Sequence, residues 1–204
     1  MRVLIGCEFS GVVRDEFAKK GHDAWSCDIL PTESEGNHYQ MDIFDLLEET
    51  SGDWDLAIFH PTCKFLANSG SKWLYNSGKK ENGRDEQRWE NMYAGADFFV
   101  RLKNADIPKL CLENPIPHCY ASNLMGKYSQ TIQPWQFGHP ETKRTCLWLK
   151  NLPLLKETEN VKSVMKDMPK KDTDRIHYMS GKDRGKNRSV TFRGIAKAMA
   201  NQWG

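Results

Sequence analysis

The sequence of 204 residues lacks long hydrophobic runs, paired cysteines and a strong net charge. No stretch approaches the roughly 18 consecutive apolar residues of a membrane-spanning helix, so we expect no membrane partner. Residues 1–6 are too short for a signal peptide and have the wrong flank. The six cysteines form no Cys-x-x-Cys pair and no metal-finger spacing, and the histidines fit no zinc pattern, so no metal site is expected. These features favour a reducing, cytoplasmic protein.

The charge is distributed unevenly along the chain. The formal net charge is only +2, yet residues 150–193 carry twelve Lys and Arg against six Asp and Glu, which leaves the remainder acidic. A basic C-terminal third on an acidic body fits a surface that contacts phosphates. A solvated, lysine-rich loop region explains the same composition equally well, so charge alone leaves both interpretations open.

Short apolar runs alternate with amphipathic stretches, and the length suits one domain. The predicted strands are residues 3–5, 23–27, 39–43, 54–59, 109–112 and 145–149, and the predicted helices are 12–20, 44–49, a long one around Trp89–Val100, and 195–203. Residues 68–87 are polar and interrupted and predict a long mobile loop. The alternation predicts an α/β fold, with a mostly parallel sheet covered by helices on both faces.

A small-residue turn follows the first predicted strand, and an acidic residue ends the second. The turn contains Phe9-Ser10-Gly11, and the acid is Asp28. Glycine lets the backbone approach a ligand, and such an acid accepts hydrogen bonds from ribose hydroxyls. A nicotinamide site would need Gly-x-Gly-x-x-Gly, and only one glycine is present. For this pair alone, a tight turn plus a loop-capping aspartate is the simpler interpretation.

Two reactive side chains follow apolar strands at what should be one edge of the sheet. Cys63 follows the run that ends at Phe59, and Glu113 follows the predicted strand 109–112. Ligands of open α/β sheets bind outside the carboxyl ends of the strands, so both groups are expected in one crevice. A thiolate is a nucleophile, and a partly desolvated Glu113 is expected to have a raised pKa and to act as a donor. A buried structural thiol and a carboxylate bonded to loop amides remain alternatives.

Together these motifs resemble those of the cytosine-C5 DNA methyltransferases, in the same order along the chain. The matching segments are Phe9-Ser10-Gly11, Asp28, Met41-Asp42-Ile43, Pro61-Thr62-Cys63, Leu112-Glu113-Asn114, residues 137–144 and Arg188-Ser189-Val190. The resemblance covers most of residues 1–149 plus 187–203. Residues 137–149 are its most persuasive part, because the family has a similar basic motif followed by an apolar strand.

The resemblance implies a single Rossmann-like methyltransferase domain that methylates cytosine C5 in DNA, of phage or bacterial origin. Cys63 would add to C6 of the base, and Glu113 would contact N3 and the exocyclic amine. Arg144 would hold the base or Glu113. Duplex DNA would have to release the target base from the stack.

The implied cofactor is S-adenosylmethionine, and no metal is implied. Asp28 would bind its ribose hydroxyls, Ile29 would cover one face of adenine, and Asp42 would bind the adenine amine. The full set of implied cofactor residues is Phe9, Ser10, Gly11, Asp28, Ile29, Asp42, Ile43 and Ser189.

The sequence also departs from the family pattern. The cofactor loop lacks a Gly-x-Gly-Gly run, Thr62 replaces a second proline, and Cys146 occupies the place of a second arginine. Residues 150–186 form a short, basic, irregular insertion in the single domain 1–204, with too few residues for a separate target-recognition domain. The protein would then modify DNA with little specificity, borrow a partner subunit, or act on a cytosine nucleotide. Covalent C5 chemistry with another donor and a non-catalytic nucleic-acid-binding relic are further alternatives.

Overall fold

A single seven-stranded sheet forms the centre of the computed structural model, which describes all 204 residues. The strands are β1 (Arg2–Gly6), β2 (Asp23–Asp28), β3 (His38–Gln40), β4 (Leu56–Phe59), β5 (Lys109–Pro115), β6 (Gln130–Ile132) and β7 (Thr145–Lys150). Their order is β3-β2-β1-β4-β5-β7-β6. The first five in this order run parallel, whereas β7 is antiparallel to both β5 and β6.

Eight α-helices surround the sheet or follow it in the chain. They are α1 (Val12–Ala18), α2 (Ile43–Glu49), α3 (Glu86–Lys103), α4 (Cys119–Met125), α5 (Lys170–Thr173), α6 (Arg175–Tyr178), α7 (Arg184–Ser189) and α8 (Arg193–Trp203). Short 3-10 helices cover Asn68–Leu74, Asn76–Gly78, Lys80–Asn82, Pro134–Gln136 and Val164–Asp167. No helix has both the length and the apolar character that crossing a lipid bilayer requires.

The side chains of the strands divide the core into two layers. In β1, Leu4 belongs to the layer that contains residues of α2, α3 and α4, whereas Val3 and Ile5 belong to the layer that contains α1 and α8. This alternation follows from the two-residue period of a strand. Both faces of the sheet are therefore covered by helices, which confirms the predicted fold class of a single Rossmann-like domain.

Local capping explains where two of the helices begin. The side chain of Asp85 accepts a hydrogen bond from the Arg88 amide at 3.1 Å, so α3 starts immediately after Asp85. Asp42 accepts from the Phe44 amide at 2.8 Å and starts α2 at Ile43. The predicted strand 39–43 is therefore wrong in its last residues, because the cap at Asp42 begins a helix there.

Other boundaries also differ from the sequence predictions. The predictions missed β6 and α4, which are only three and seven residues long. Residues 68–87, predicted as a loop, contain three 3-10 helices and the start of α3. The irregular stretch 150–186 includes α5, α6 and part of α7, all too short to produce a clear hydrophobic period.

Candidate functional site

The carboxyl ends of β1, β4 and β5 meet at one edge of the sheet. The amide of His60, directly after β4, donates to the carbonyl of Gly6 at 2.9 Å. The side-chain amide of Asn114 in β5 donates to the carbonyl of Pro61 at 3.2 Å, and this bond is buried. It ties the end of β5 to the turn that presents Cys63. The structure thus brings Cys63 and Glu113 to the same edge.

Glu113 forms a partly buried ion pair with His60. The Nδ1 atom of His60 lies 2.8 Å from Oε2 of Glu113, and each side chain is 10% exposed. The hydroxyl of Thr191, just before α8, donates to the same Oε2 at 3.3 Å. No hydrogen bond is made by Oε1. Oε1 is therefore the carboxylate oxygen that remains available to a ligand.

The charges around this pair lower the pKa of Glu113, whereas the sequence predicted a raised pKa. Burial by itself raises its pKa, but the hydrogen bond and charge of His60, the charge of Lys143 and the hydrogen bond of Thr191 lower the pKa of Glu113 to about 2. The prediction of a raised pKa is therefore wrong. Burial lowers the pKa of His60, but Glu113 and Glu8 outweigh it and raise that pKa above 6.5. Each partner therefore favours the charged form of the other, imidazolium beside carboxylate.

A second buried carboxyl group lies near His60. Glu8, which is 5% exposed, accepts from the amides of Val13 at 2.7 Å and Arg14 at 3.3 Å. Burial raises the pKa of Glu8, whereas the charge of His60 lowers it. The Nε2 atom of His60 is buried and has no hydrogen-bond partner. His60 therefore lies in the field of two glutamates and bonds to only one of them.

Cys63 is partly buried and close to two cations. Burial raises the pKa of its thiol, the charges of Lys143 and Arg188 lower it, and the charge of Glu113 raises it. Cations near a thiol stabilise the thiolate, which is the nucleophilic form. Burial and Glu113 outweigh the two cations, so the pKa of Cys63 lies above its ordinary value, and the cations offset only part of that rise.

The sequence predicted Arg144 as the basic residue at the site, but the neighbouring Lys143 is the one whose charge acts there. Arg144 is exposed and makes no hydrogen bond or ion pair, whereas the Nζ atom of Lys143 donates to the carbonyl of Val190 at 3.4 Å. The charge of Lys143 acts on Glu113, His60 and Cys63. The role of Arg144 on the base stays a prediction.

Sequence reasoning missed His60, Lys143, Thr191 and Glu8 as members of this cluster. The place of His60 directly after β4 was a signal that could have identified it. Thr191 carried no signal, because it lies 78 residues from Glu113 in the chain. Two other histidines in this part of the chain have structural contacts instead. His118 caps α4, and Nε2 of His139 accepts from an amide in α8 at 2.9 Å.

Next to this cluster, the turn after β1 brings the backbone close to its neighbours. A side chain at Gly6 would collide with the ring of Phe59, 2.4 Å from the position of its Cβ. Gly11 has a φ of 72°, which disfavours other residues, and Cys7 adopts a φ of 58°. The backbone of residues 6–11 therefore forms a tight cradle above β1.

The end of β2 presents an acceptor beside an exposed apolar side chain. Oδ1 of Asp28 accepts from the Leu30 amide at 2.9 Å, and burial raises the pKa of the carboxyl. Ile29 is 72% exposed. Asp42 uses Oδ1 to cap α2, and Ile43 is buried at the start of that helix. Asp28 and Ile29 together offer a carboxylate and an apolar face.

The remaining predicted cofactor residues lie around the cradle. The Phe9 ring is 8% exposed, and Nζ of Lys186 in α7 lies 5.2 Å from its centroid. The Ser10 hydroxyl donates to Glu8 at 3.2 Å. Ser189, also in α7, is exposed and donates to the carbonyl of Lys186 at 2.7 Å. The helix that carries Ser189 thus reaches the turn after β1, and the binding roles of these residues stay predictions.

Arg14 fixes the loop that follows Asp28. Its side chain lies in α1, is 1% exposed and forms an ion pair with Asp15 at 2.8 Å. Arginines are rarely buried to this extent, so no sequence pattern indicated it. The guanidinium donates to the hydroxyls of Ser26, Thr32 and Ser34 and to the carbonyls of Ser34, Glu35 and Asn37.

A cleft of about 780 Å³ lies between α1, the loop around Glu141 and residues 175–193. Thr191 lines it, which places its inner end beside Glu113. Neither Cys63 nor Asp28 lines it. The cleft adjoins the cluster described above and does not contain its nucleophile.

Comparisons with known proteins give only distant likenesses. No protein-family model matches the chain, and no curated protein matches it. One similar solved structure, described as a DNA modification methyltransferase encoded within an E. coli prophage, is 14% identical, with a TM-score of 0.44 over 73% of this chain and 46% of that one. The Dnmt2 methyltransferase of S. pombe is 18% identical, with a TM-score of 0.43 over 89% of this chain and 61% of that one. The chain spans less than two thirds of either protein, and at these scores neither activity transfers to it.

Proposed function

We propose that the protein is an S-adenosylmethionine-dependent enzyme that methylates C5 of cytosine in DNA through a covalent adduct. One observation carries this proposal: the thiol of Cys63 and the carboxylate of Glu113 lie at the same edge of a Rossmann-like sheet, with the buried bond between Asn114 and Pro61 fixing their relation. A nucleophile and a carboxyl group at one edge suit attack on a ring and binding of its far side.

The chemistry requires an electron-rich C5. The Cys63 thiolate, favoured by the charges of Lys143 and Arg188, would form a bond to C6. The electron pair of the C5–C6 double bond would move into the ring and make C5 nucleophilic. The free Oε1 of Glu113 would accept from the exocyclic amine, and the carboxyl group would face N3. After methyl transfer, loss of the C5 proton would restore the double bond and release Cys63.

The residues around β1 and β2 fit the proposed methyl donor. The cradle of residues 6–11 lies at the carboxyl end of β1, Asp28 offers an acceptor for ribose hydroxyls, and exposed Ile29 offers an apolar face for adenine. Asp42 lies at the end of the neighbouring strand, and Ser189 approaches from α7. S-adenosylmethionine, when bound, supplies an electrophilic methyl group on sulfur. Phe9, Ser10, Gly11 and Ile43 would complete the site.

The segment that follows β7 supports a nucleic acid as substrate. Its basic side chains include Arg184, Lys186 and Arg188 of α7, and Arg188 acts on the Cys63 thiol. Phosphates would therefore be attracted to the nucleophile itself. Trp73, in the segment after Cys63, is 47% exposed and provides a ring on which a base can stack.

A free cytosine nucleotide is a second candidate substrate. The short insertion of residues 150–186 offers no separate recognition domain, and Arg188 beside Cys63 suits the phosphate of a single nucleotide. The same covalent chemistry would apply. If DNA is the substrate, a partner subunit would supply the target recognition.

A trapping experiment tests the function and separates the two substrates. The protein is incubated with S-adenosylmethionine and 5-fluorocytosine, presented either in duplex DNA or as the nucleoside monophosphate. The C5 fluorine blocks the final elimination, so a stable Cys63 adduct is expected by mass spectrometry. Cys63→Ser should form none, and Cys119→Ser, which changes an exposed cysteine, should behave as the wild type. The substrate that gives the adduct is the true class, and no adduct with either would refute the proposal.

A further inference from the structure

The ion pair at the site poses a problem for the proposed chemistry. When a thiolate adds to C6 of cytosine, negative charge develops at N3, and this atom must gain a proton. Glu113 rests as a carboxylate with no proton to give, because His60 and Thr191 both donate to its Oε2. The proton must therefore come from a neighbour of Glu113.

His60 is the neighbour placed to supply it. Its Nδ1 atom lies 2.8 Å from Glu113, in a setting that is nine-tenths buried. The groups that face it are Glu113 on β5, Glu8 on the turn after β1, and Lys143 before β7. The two carboxyl groups favour the imidazolium and Lys143 opposes it. His60 therefore keeps its proton to a higher pH than a free imidazole does, and this proton lies one hydrogen bond away from the carboxylate.

The other donors near Glu113 are less suitable. The Thr191 hydroxyl is a hydrogen-bond donor that does not ionise in the physiological range. Lys143 influences Glu113 through its charge and makes no hydrogen bond to it, since its Nζ donates to the carbonyl of Val190. Only His60 combines an ionisable proton with direct contact.

We propose that His60 is a positioning residue that orients Glu113 and supplies the proton that N3 of the pyrimidine takes up when Cys63 adds to C6. This inference rests on the proposed function. In the step, the Cys63 thiolate forms the S–C6 bond with its electron pair, and the C5–C6 π pair shifts into the ring. Nδ1 of His60 passes its proton to Oε2 of Glu113, and the carboxyl group turns this O–H toward N3 and gives the proton to it. The imidazolium becomes neutral imidazole, and Glu113 ends as a carboxylate. When Cys63 departs, the proton on N3 returns to His60 by the same route.

The variant His60→Asn separates proton supply from mere support. The side-chain amide of asparagine can occupy the position of Nδ1 and donate to Glu113, but it cannot release a proton. If His60 supplies the proton, the rate of adduct formation should fall by about a hundredfold or more, as for loss of a general acid. The KM for the pyrimidine substrate should change little. His22→Asn, which changes a histidine directly before β2, is the matched control and should behave as the wild type.

The pH profile gives a readout that a structural role would not move. Between about pH 5 and 9, adduct formation by the wild type should rise with formation of the Cys63 thiolate and level off as His60 loses its proton. His60→Asn should not level off and should rise with pH throughout. A His60→Asn profile with the wild-type shape and rate would overturn the inference and leave the proposed function standing.

A measurement without substrate checks the pair on its own. NMR titration of isotope-labelled histidines should give His60 a pKa above its ordinary value of 6.5 in the wild type and a lower one in Glu113→Gln. An unchanged His60 titration in Glu113→Gln would refute the inference. Absence of any adduct from the wild type, with the titration as expected, would instead identify the proposed function as the error, and the inference would fall with it.

Discussion

Replacement of Arg14 by methionine should loosen the loop that follows Asp28 and lower the stability of the whole protein. The guanidinium is 1% exposed and holds residues 32–37 through hydroxyl and carbonyl acceptors. Methionine matches much of the length of arginine and has no donor. The substitution therefore removes the hydrogen bonds with a limited change in packing.

The loss in the free energy of unfolding of Arg14→Met can be bounded from the hydrogen bonds that are removed and from the response of the loop. A hydrogen bond from a charged group contributes about 1.5–3 kcal/mol, so the sum over all acceptors of Arg14 would exceed the stability of an ordinary domain. The loop prevents that outcome by opening to water, where its carbonyls regain partners. Breaking a buried charge pair typically costs about 3–5 kcal/mol, and we expect a loss of that size.

Urea denaturation gives the free energy of unfolding, and calorimetry with S-adenosylmethionine gives the effect on the proposed donor site. Arg14→Met should lose both stability and donor binding. The control is Arg193→Met, since Arg193 is 72% exposed and its ion pair with Glu16 should contribute less than about 1 kcal/mol. A loss below about 1 kcal/mol in Arg14→Met would show that the buried network does not hold the loop, and the reasoning would be refuted.

Three further results are expected. Asp28→Ala should weaken binding of S-adenosylmethionine by about tenfold to a hundredfold in calorimetry, and unchanged affinity would remove the ribose role. Binding of the protein to duplex DNA should weaken steeply with salt, and Lys170→Ala and Lys171→Ala should each reduce the slope by about one, whereas a slope that stays the same would exclude these lysines from the interface. The lowered pKa of Glu113 contributes stability above about pH 4.5 that is lost as pH falls toward about 2, and the raised pKa of His60 contributes stability below 6.5 that is lost as pH rises through its folded value. The stability that the pair contributes should thus be greatest between about pH 4.5 and 6.5. If the free energies of unfolding of the wild type and Glu113→Gln changed with pH in parallel, this expectation would be contradicted.

The parts of the fold that the sequence predicted are those with strong local signals. The apolar runs of β1, β4 and β5 and the stripe of α3 need no tertiary information, because burial on both faces dictates their composition. The three-residue strand β6 has no room for a pattern and exists through its pairing with β7. The burial of Arg14 could not be predicted either, because it depends on acceptors more than ten residues away in the chain.

The candidate site divides in a similar way. A general rule about parallel sheets placed Cys63 and Glu113 at one edge, because both follow apolar strands. The state of Glu113 was mispredicted, because the deciding partner His60 lies 53 residues away and reverses the effect of burial. Sequence gives the position of a titratable group along a strand, whereas its pKa depends on the neighbours that folding brings.

Residues 184–191 connect the separate parts of the site. Lys186 lies over the Phe9 ring and forms an ion pair with Glu33 at 2.5 Å, so α7 is attached to the proposed donor side. Arg188 acts on the Cys63 thiol, and Thr191 donates to Glu113. One short segment thus contacts the cradle and the carboxylate and places a charge near the Cys63 thiol. Such a segment can hold the proposed reacting groups together without a separate recognition domain, which is what the proposed function requires of residues 150–193.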